Sequence, residues 1–276
     1  MPSEKLSKHA ADDLDDDFAL DAITDSSPSS EDESPAPAIK TQHKSSAKRS
    51  LQPDSPSHSP AEGSVAPKKQ KKAGKIQKFN VPADLSEQAE LWNQYMQKAY
   101  PGITALELDD IKMLPKHMYP TENDAAESME DLVKTVVSAG KAKNKIMLGA
   151  PQVLVICSSA LRVIELLKVL RPLSSPKRPV LKLFSRHVKL EEHKKLLAKS
   201  PVDIAVGTPN RVLKLLSDKD LKVNRLKLVI IDCWQDDKMR VVVDMDDTRK
   251  DLFSIWRDEL LPASANPDYG FRFRLV

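Results

Sequence analysis

The second half of the chain alternates between short apolar runs and amphipathic helical stretches. The apolar runs are five or six residues long: Val153–Cys157, Val180–Phe184, Val202–Val206 and Leu226–Ile231. Helical periodicity follows the first three, over Ser159–Leu170, Leu190–Lys199 and Pro209–Leu216. Strands that are apolar throughout and alternate with helices are typical of a parallel sheet covered on both faces. The pattern predicts an α/β fold, a three-layer sandwich with a parallel sheet.

Further elements flank this alternating region. Asp84 is positioned to cap a helix that runs to about Ala99, whose apolar face either docks on the domain's own core, which we favour, or binds a partner. The other flanking predictions are an apolar-polar stretch over Leu106–Met118, a helix over Asp124–Val137, a lysine-rich loop over Ser138–Lys145, a helix over Asp247–Leu261 and a last strand over Phe271–Val276. Together these segments predict a folded domain over residues 81–276.

The first 80 residues lack this hydrophobic pattern and carry two opposite blocks of charge. Residues 1–39 contain eleven acidic and two basic side chains, whereas residues 40–78 contain ten basic and two acidic ones. Such a segment cannot bury enough apolar area to offset its chain entropy. We therefore expect residues 1–80 to be a disordered tail, acidic and then basic, as in proteins that work among polyelectrolytes.

The basic block of the tail resembles a nuclear import signal. Its cluster consists of Lys68, Lys69, Lys71, Lys72 and Lys75. A run of this kind also binds phosphate backbones without sequence preference, or serves only solubility. Serines next to acidic residues or proline are candidate phosphorylation sites that would add negative charge: Ser29, Ser30, Ser34, Ser55 and Ser59.

The cysteine count and the hydropathy pattern exclude several classes of protein. Two cysteines, Cys157 and Cys233, form no CxxC pair, so we expect a reduced intracellular protein with buried thiols and without a structural zinc. We expect neither secretion nor membrane insertion, because no long apolar stretch occurs. An acidic cluster from Asp236 to Asp247 either attracts magnesium or, as we prefer, is a solvated loop before a helix. No cofactor or metal is expected.

Polar residues follow each predicted strand, at the sheet edge where ligands bind in parallel α/β folds. The four strand-end segments are Cys157-Ser158-Ser159, Ser185-Arg186-His187, Gly207-Thr208-Pro209-Asn210-Arg211 and Asp232-Cys233-Trp234-Gln235. The spacing and residue types of the last two resemble the TPGR and DEAD motifs in the first RecA-like domain of DEAD-box RNA helicases. The resemblance implies a RecA-like fold.

In those helicases the TPGR motif begins a helix and holds an RNA phosphate. Thr208 and Arg211 keep the groups for that contact, although any helix that begins after a strand could carry Pro209 at its first position. Ser185-Arg186 stands where the helicases have a glycine pair, and Arg186, His187 and Lys189 add positive charge there. They form either an altered RNA surface or an ordinary solvated loop.

The catalytic residues implied by the resemblance are missing. A Walker A loop needs closely spaced glycines and a Lys-Ser/Thr pair, whereas the expected place, residues 138–143, reads SAGKAK. At the DEAD position the first aspartate remains as Asp232, but Cys233 and Gln235 replace the glutamate and the last aspartate. Metal-assisted phosphoryl transfer cannot be assembled from Asp232 alone. We therefore expect no ATPase activity.

Three segments sharpen the resemblance to one eukaryotic family of helicase-like proteins. They are LKLFSRHVKL at 181–190, VGTPNRV at 206–212 and IIDCWQDDK at 230–238. This Cms-one type family comprises non-catalytic factors of early small-subunit pre-ribosomal particles in the nucleolus. The resemblance implies a nuclear and nucleolar assembly factor in small-subunit biogenesis. Its implied partners are pre-ribosomal RNA, processome proteins or both, and the tail implies an import receptor.

Two other interpretations remain open from the residues. One is a diverged nucleotide-binding enzyme that uses Asp232, with Lys141 as a substitute phosphate ligand. The other is an import-tagged adaptor that contacts only protein. ATP binding that depends on Lys141 distinguishes the first, and RNA crosslinking in cells distinguishes the second.

Overall fold

Five parallel strands form the sheet at the centre of the described residues. The computed structural model describes residues 78–120, 128–140 and 147–276. The strands are β1 (Val153–Ile156), β2 (Leu181–Leu183), β3 (Ile204–Gly207), β4 (Leu228–Ile231) and β5 (Arg272–Leu275). They lie in the order β2-β3-β1-β4-β5, and every neighbouring pair is parallel. The predicted parallel sheet is confirmed.

Helices cover the sheet in a way that fits three layers. The helices are α1 (Leu85–Ala99), α2 (Ala105–Ile111), α3 (Met129–Gly140), α4 (Ala160–Leu170), α5 (Leu190–Lys199), α6 (Pro209–Ser217), α7 (Asp246–Ser254) and α8 (Leu261–Ser264). Leu154 and Ile156 of β1 belong to the core cluster formed with α1, α6 and α7. Alternate residues of a strand point to opposite faces. On the face opposite to this cluster, α3 and α4 contact β1, β3 and β4.

The predicted capping and packing of the first helix are confirmed. The Asp84 carboxylate accepts hydrogen bonds from the amides of Ser86 and Glu87 at the start of α1. Trp92 on the inner face of α1 is buried, and its ring meets Phe253 edge-on at 4.6 Å between centroids. The apolar face of α1 therefore packs on the domain's own core.

The structure corrects two of the predicted segments. The stretch over Leu106–Met118 contains helix α2, which Thr104 and Glu107 begin with a reciprocal capping box, and a 3-10 turn over Pro115–His117. Helix α3 continues to Gly140, so the loop predicted from Ser138 starts later. The start predicted for that helix, near Asp124, lies outside the described residues.

The helix predicted over Asp247–Leu261 is interrupted by a wider turn. After α7 the segment Ile255–Leu260 is a π-helix, and α8 with Pro262 follows it. Pro262 has no N–H to donate, and its ring crowds the carbonyl group four residues earlier, which is a known cause of local helix distortion. Within this turn Trp256 is buried and donates its indole N–H to the carbonyl oxygen of Ile111 at 2.6 Å.

Strand β5 pairs directly with β4 and forms one edge of the sheet. Ile231 of β4 pairs with Leu275, and beyond the strand end the amide of Cys233 donates to the carbonyl oxygen of Val276 at 2.7 Å. On the outer side of β5 the amide of Tyr119 donates to the carbonyl oxygen of Phe273. No other strand lies between β4 and β5.

The interpretation of the tail cannot be compared with these elements. The import cluster Lys68–Lys75 and the candidate phosphoserines lie outside the described residues. Across the described ranges, no helix combines the length and apolarity needed to cross a bilayer.

Candidate functional site

The carboxyl ends of β1 and β4 form the topological switch point of the sheet, where the chain leaves towards opposite faces. Helix α4 follows β1 on one face, whereas α6 and α7, which follow β3 and β4, pack together in the core of the other face. Ligands of parallel α/β folds bind in the crevice that such a switch creates. In this chain the crevice contains Asp232, directly after β4, and the first turn of α4.

Arg162 and Asp232 occupy the centre of this switch point. Arg162 donates from Nε and Nη2 to the two carboxylate oxygens of Asp232, at 2.7 and 3.1 Å. The Asp232 side chain is almost fully buried, and its partner is about one-fifth exposed. Burial alone lowers the pKa of Arg162, but the hydrogen bonds and attraction from Asp232 raise it above its ordinary value. The carboxylate is therefore neutralised from within the chain by a bidentate pair.

The local sequence places Arg162 at this carboxylate. Ser159 caps α4, with its hydroxyl accepting the Arg162 amide at 3.2 Å, which fixes Arg162 in the first turn. The remaining guanidinium nitrogen donates to Glu165 at 3.0 Å, one helical turn further on. The guanidinium also lies over the Trp234 ring, 4.8 Å from its centroid. Three groups thus hold Arg162 in one position.

The two cysteines lie beside this pair and are buried. Cys157 follows β1, Cys233 follows Asp232, and both thiols are free. Burial, with a further contribution from the Asp232 charge, raises the pKa of both thiols above their ordinary range. Thiols of this kind are protonated and unreactive, and the prediction of buried thiols is confirmed.

Gln235 connects the switch point to the chain before α1. Its Oε1 accepts the amide of Phe79 at 3.0 Å, and its Nε2 donates to the carbonyl oxygen of Met239 at 3.1 Å. Both polar atoms of the Gln235 amide are therefore hydrogen-bonded to backbone groups. The residue that stands at the last position of the DEAD-like tetrapeptide ties two loops together.

The segment proposed for a phosphate loop begins in a helix. A P-loop follows a strand and precedes a helix, whereas Ser138, Ala139 and Gly140 form the last turn of α3. Lys141 and the residues up to 146 lie outside the described residues.

A second group of predicted residues lies at the carboxyl ends of β2 and β3. Gly207 allows these strands to approach, because a Cβ there would lie 2.5 Å from the carbonyl oxygen of Leu183 and 2.6 Å from its Cβ. The following amide, of Thr208, donates to that same carbonyl at 2.9 Å. Thr208 is partly exposed, and its side chain makes no capping bond to α6. Thr208 therefore lies at the helix start without capping the helix.

Arg211 lies in a buried network beneath this edge. It donates to Nδ1 of His193 at 2.7 Å and to the carbonyl oxygen of Val188 at 2.9 Å, and it is 6% exposed. His193 is also hydrogen-bonded to the backbone of Lys182, and burial followed by the Arg211 charge lowers its pKa to about 4. Since a neutral His193 accepts at Nδ1, its proton is at Nε2. Arg211 thus holds the loop after β2 in place from within the domain.

The loop that Arg211 supports carries three exposed basic residues. Arg186, His187 and Lys189 are all exposed, and Arg186 Nε donates to His187 Nε2 at 3.0 Å. His187 has a positive φ of 63°, which a side chain seldom adopts and which turns the loop sharply. The structure therefore brings Arg186, His187, Lys189 and Thr208 to one edge of the sheet, while Arg211 lies buried below them.

Three of the acidic residues after β4 are used in ion pairs. Asp236 accepts from Arg240, and Asp244 and Asp246 accept from Arg249 at the start of α7. In the part of the chain that the structure describes, no group of three His, Cys, Asp or Glu side chains is arranged to hold a metal ion.

Sequence reasoning missed a buried network at the opposite ends of the strands. Asp203 accepts hydrogen bonds from Gln152, Arg178 and Arg225, at 3.0 to 3.3 Å. Arg225 also donates to the carbonyl oxygen of Ala150. Asp203 stands just before β3, where an acidic residue in an apolar run was the available signal. This network stabilises the amino-terminal edge of the sheet.

The fold and these two strand-end regions define a class of protein: a parallel α/β domain whose switch-point carboxylate is neutralised by its own arginine. A family model described as "U3-containing 90S pre-ribosomal complex subunit", named CMS1, matches residues 37–265. Because this match covers most of the sequence, the chain belongs to the CMS1 family.

Individual relatives agree with this assignment. The chain is 31% identical to Protein CMSS1 of Homo sapiens over 153 residues, 54% of each chain. It is 35% identical to Protein CMSS1 of Danio rerio over 142 residues, 50% of this chain and 48% of the relative. Protein CMS1 of Chaetomium thermophilum is 36% identical over 105 residues, 38% of this chain and 42% of the relative. The chain therefore spans about half the length of the relatives it matches.

Proposed function

We propose that this protein is a non-catalytic assembly factor of the small ribosomal subunit, which acts in the nucleolus as part of the 90S pre-ribosomal complex. The family description supplies the complex. The observation that carries the non-catalytic half is the bidentate pair between Arg162 and Asp232. A divalent cation would have to displace that guanidinium from a buried carboxylate before it could bind there.

The neighbours of Asp232 support the same proposal. Cys233 has a protonated thiol where a helicase needs a carboxylate, and Gln235 uses both ends of its amide to hold backbone. The position of the phosphate loop is occupied in part by the end of α3. Phosphoryl transfer needs a bound metal and a group that orients water, and neither has a residue here. These features support our proposal that the domain is a degenerate RecA-like domain.

The edge formed by β2 and β3 is the part of this domain that we assign to RNA. Arg186 and Lys189 offer exposed cations, and Thr208 offers a hydroxyl at the amino end of α6. Cations, hydroxyls and helix amino termini are the groups that hold phosphates without reading sequence. Arg211 is assigned a positioning role, since its donors are used on His193 and Val188.

Two measurements test this function. ATP hydrolysis by the full chain, with and without ribosomal precursor RNA, is expected to stay at background, and the protein is expected to sediment with 90S particles. RNA-stimulated turnover that disappears in Asp232→Asn but not in Lys214→Ala would overturn the non-catalytic assignment. Loss of co-sedimentation in a chain that folds normally would instead contradict the assignment to the complex.

In-cell RNA crosslinking tests the interface separately. Crosslinks are expected at the loop of Arg186 and Lys189, and the double change to glutamate is expected to remove them. Lys214 on the exposed side of α6 provides a matched control for charge reversal. Undiminished crosslinks in the double variant would place the RNA contact elsewhere, and complete lack of crosslinks in the wild type would favour an adaptor that contacts only protein.

A further inference from the structure

A groove of about 800 Å³ opens beside the switch point, between helices α3 and α4 and the loop that follows β4. We call it the Trp234 groove. Its apolar lining is formed by Phe79, Met129, Val169, Trp234 and Met239. The proposed RNA edge lies at β2 and β3, so this groove has no part in that contact.

Exposed apolar side chains are concentrated at this groove. Six large apolar residues are exposed in the described part of the chain: Leu106, Leu148, Leu161, Val169, Trp234 and Met239. Three of them line the groove, and Leu161 stands two helical turns before Val169 on α4. Single exposed apolar residues are normal, but a cluster around a concave surface marks a site of interaction.

The charges at the groove favour a protein over a nucleic acid. Asp232, Glu130 and Glu165 contribute three carboxylates, against the cations of Lys78 and Arg162. Arg162 already donates to two of these carboxylates and stacks on Trp234. Three carboxylates against two cations leave the groove with a net negative charge, and the exposed Glu130 is the carboxylate to which Arg162 does not donate. This charge repels phosphates and attracts basic side chains.

We propose that the Trp234 groove binds a short amphipathic segment of another protein, with apolar side chains packed on Trp234 and Met239 and a Lys or Arg near Glu130 and Glu165. Apolar grooves accept helices in this way, with anchors at helical spacing. The Trp234 ring stacks against the Arg162 guanidinium, so its side chain loses little conformational entropy on binding. The flexible side chains of Met129 and Met239 adapt to the shape of the ligand.

A photoreactive residue identifies the occupant. The full chain carries p-benzoylphenylalanine in place of Met239 and, as a control, in place of Leu106 on α2, which is 76% exposed and outside the groove. In purified 90S complexes the Met239 position is expected to crosslink to a segment of another protein with apolar residues three or four apart and a basic residue among them. Crosslinks only to RNA, to residues 1–77 of the chain or to a second copy, or none above the Leu106 control, would overturn the proposal.

A synthetic peptide with the crosslinked sequence then measures the contact. Trp234→Ala is expected to weaken its binding, followed by calorimetry, by about tenfold or more, as for a central aromatic anchor. Leu106→Ala should leave the affinity unchanged. Because Trp234→Ala could disturb the Arg162 pair, Val169→Lys on the surface of α4 provides a second variant, which opposes a basic ligand. Equal affinity in all variants would show that the peptide does not bind in the groove.

This result is separable from the proposed RNA contact. The Trp234→Ala protein should keep its RNA crosslinks at Arg186 and Lys189. Conversely, a chain without those crosslinks is still expected to bind the peptide.

Discussion

Two neighbouring regions at the same edge of the sheet use their charges in opposite ways. At the ends of β1 and β4, Asp232 and Arg162 are buried and satisfy each other. At the ends of β2 and β3, Arg186 and Lys189 are exposed, and the buried Arg211 supports them from below. A charge withdrawn from water needs an internal partner, whereas an exposed charge is hydrated and can be reached by a ligand. One edge of the sheet thus contains a structural region and, next to it, the region that we propose to bind RNA.

Removal of Arg162 is expected to have the largest effect on stability. In Arg162→Ala the buried carboxylate of Asp232 loses both of its hydrogen bonds from the guanidinium. Breaking a buried pair from one side costs about 3–5 kcal/mol. Urea unfolding measures the change.

The double variant Arg162→Met with Asp232→Leu sharpens this prediction. With both charges gone, no unpaired group remains, and much of the lost stability should return. A double variant as unstable as Arg162→Ala would contradict the role of the pair and point to packing by the arginine stem.

The buried pair of Arg211 and His193 should make stability depend on pH. The pKa of His193 is lowered from 6.5 to about 4 in the folded protein. Above pH 6.5 the histidine is neutral in both states; as the pH falls towards 4, the unfolded state takes up a proton that the folded state refuses. The free energy of unfolding should therefore decrease by about 3 kcal/mol over this window from His193.

His193→Gln isolates this contribution, because glutamine is neutral and can still donate and accept hydrogen bonds. The difference in unfolding free energy between wild type and variant should change between pH 6.5 and 4. A difference that stays constant with pH would refute the assignment.

A smaller loss is expected from a change at Gly207. The Cβ of Gly207→Ala would lie 2.5 Å from the carbonyl oxygen of Leu183, so β2 and β3 must separate slightly. Overpacking of this kind costs about 1–3 kcal/mol. Thermal unfolding measures it, with Gly270→Ala as the control, since a Cβ there meets nothing within 4 Å. Equal melting temperatures for the two variants would show that the strands accommodate the methyl group.

The smallest effect on stability is expected where the proposed effect on binding is largest. Arg186→Ser and Lys189→Ser lie on the exposed loop, so each should change the unfolding free energy by less than about 0.5 kcal/mol. If both residues contact phosphates, each change should reduce the slope of log affinity against log salt by about one. Binding to precursor RNA at several salt concentrations measures this; an unchanged slope would contradict the contact.

The strands and most of the helices were predictable because their signals are local. Strands β1, β3 and β4 are apolar throughout, and helices α4 and α6 begin at a capping serine and at a proline that are visible in the sequence. The π-helical turn before Pro262 was not predictable. A proline at position 262 is compatible with the end of a helix or with a distorted helix. The distorted helix forms here because it allows Trp256 to pack in the core.

The candidate site was only partly predictable, because side-chain partners depend on which strands are neighbours. The sequence identified Asp232 and Arg211 but could not pair them with Arg162 and His193, which lie 70 and 18 residues away. Only the order β2-β3-β1-β4-β5 brings these groups together. For that reason the sequence treated Arg211 as a ligand contact, whereas its donors are used inside the domain.

The buried thiols have a consequence for labelling. The sequence contains two cysteines, and both are enclosed beside the switch point with their pKa values raised. A maleimide dye needs an accessible thiolate. A cysteine introduced on the exposed loop, as in Lys189→Cys, would therefore react far faster than either natural one. Fluorescent probes can be attached to the proposed RNA edge without first altering the core.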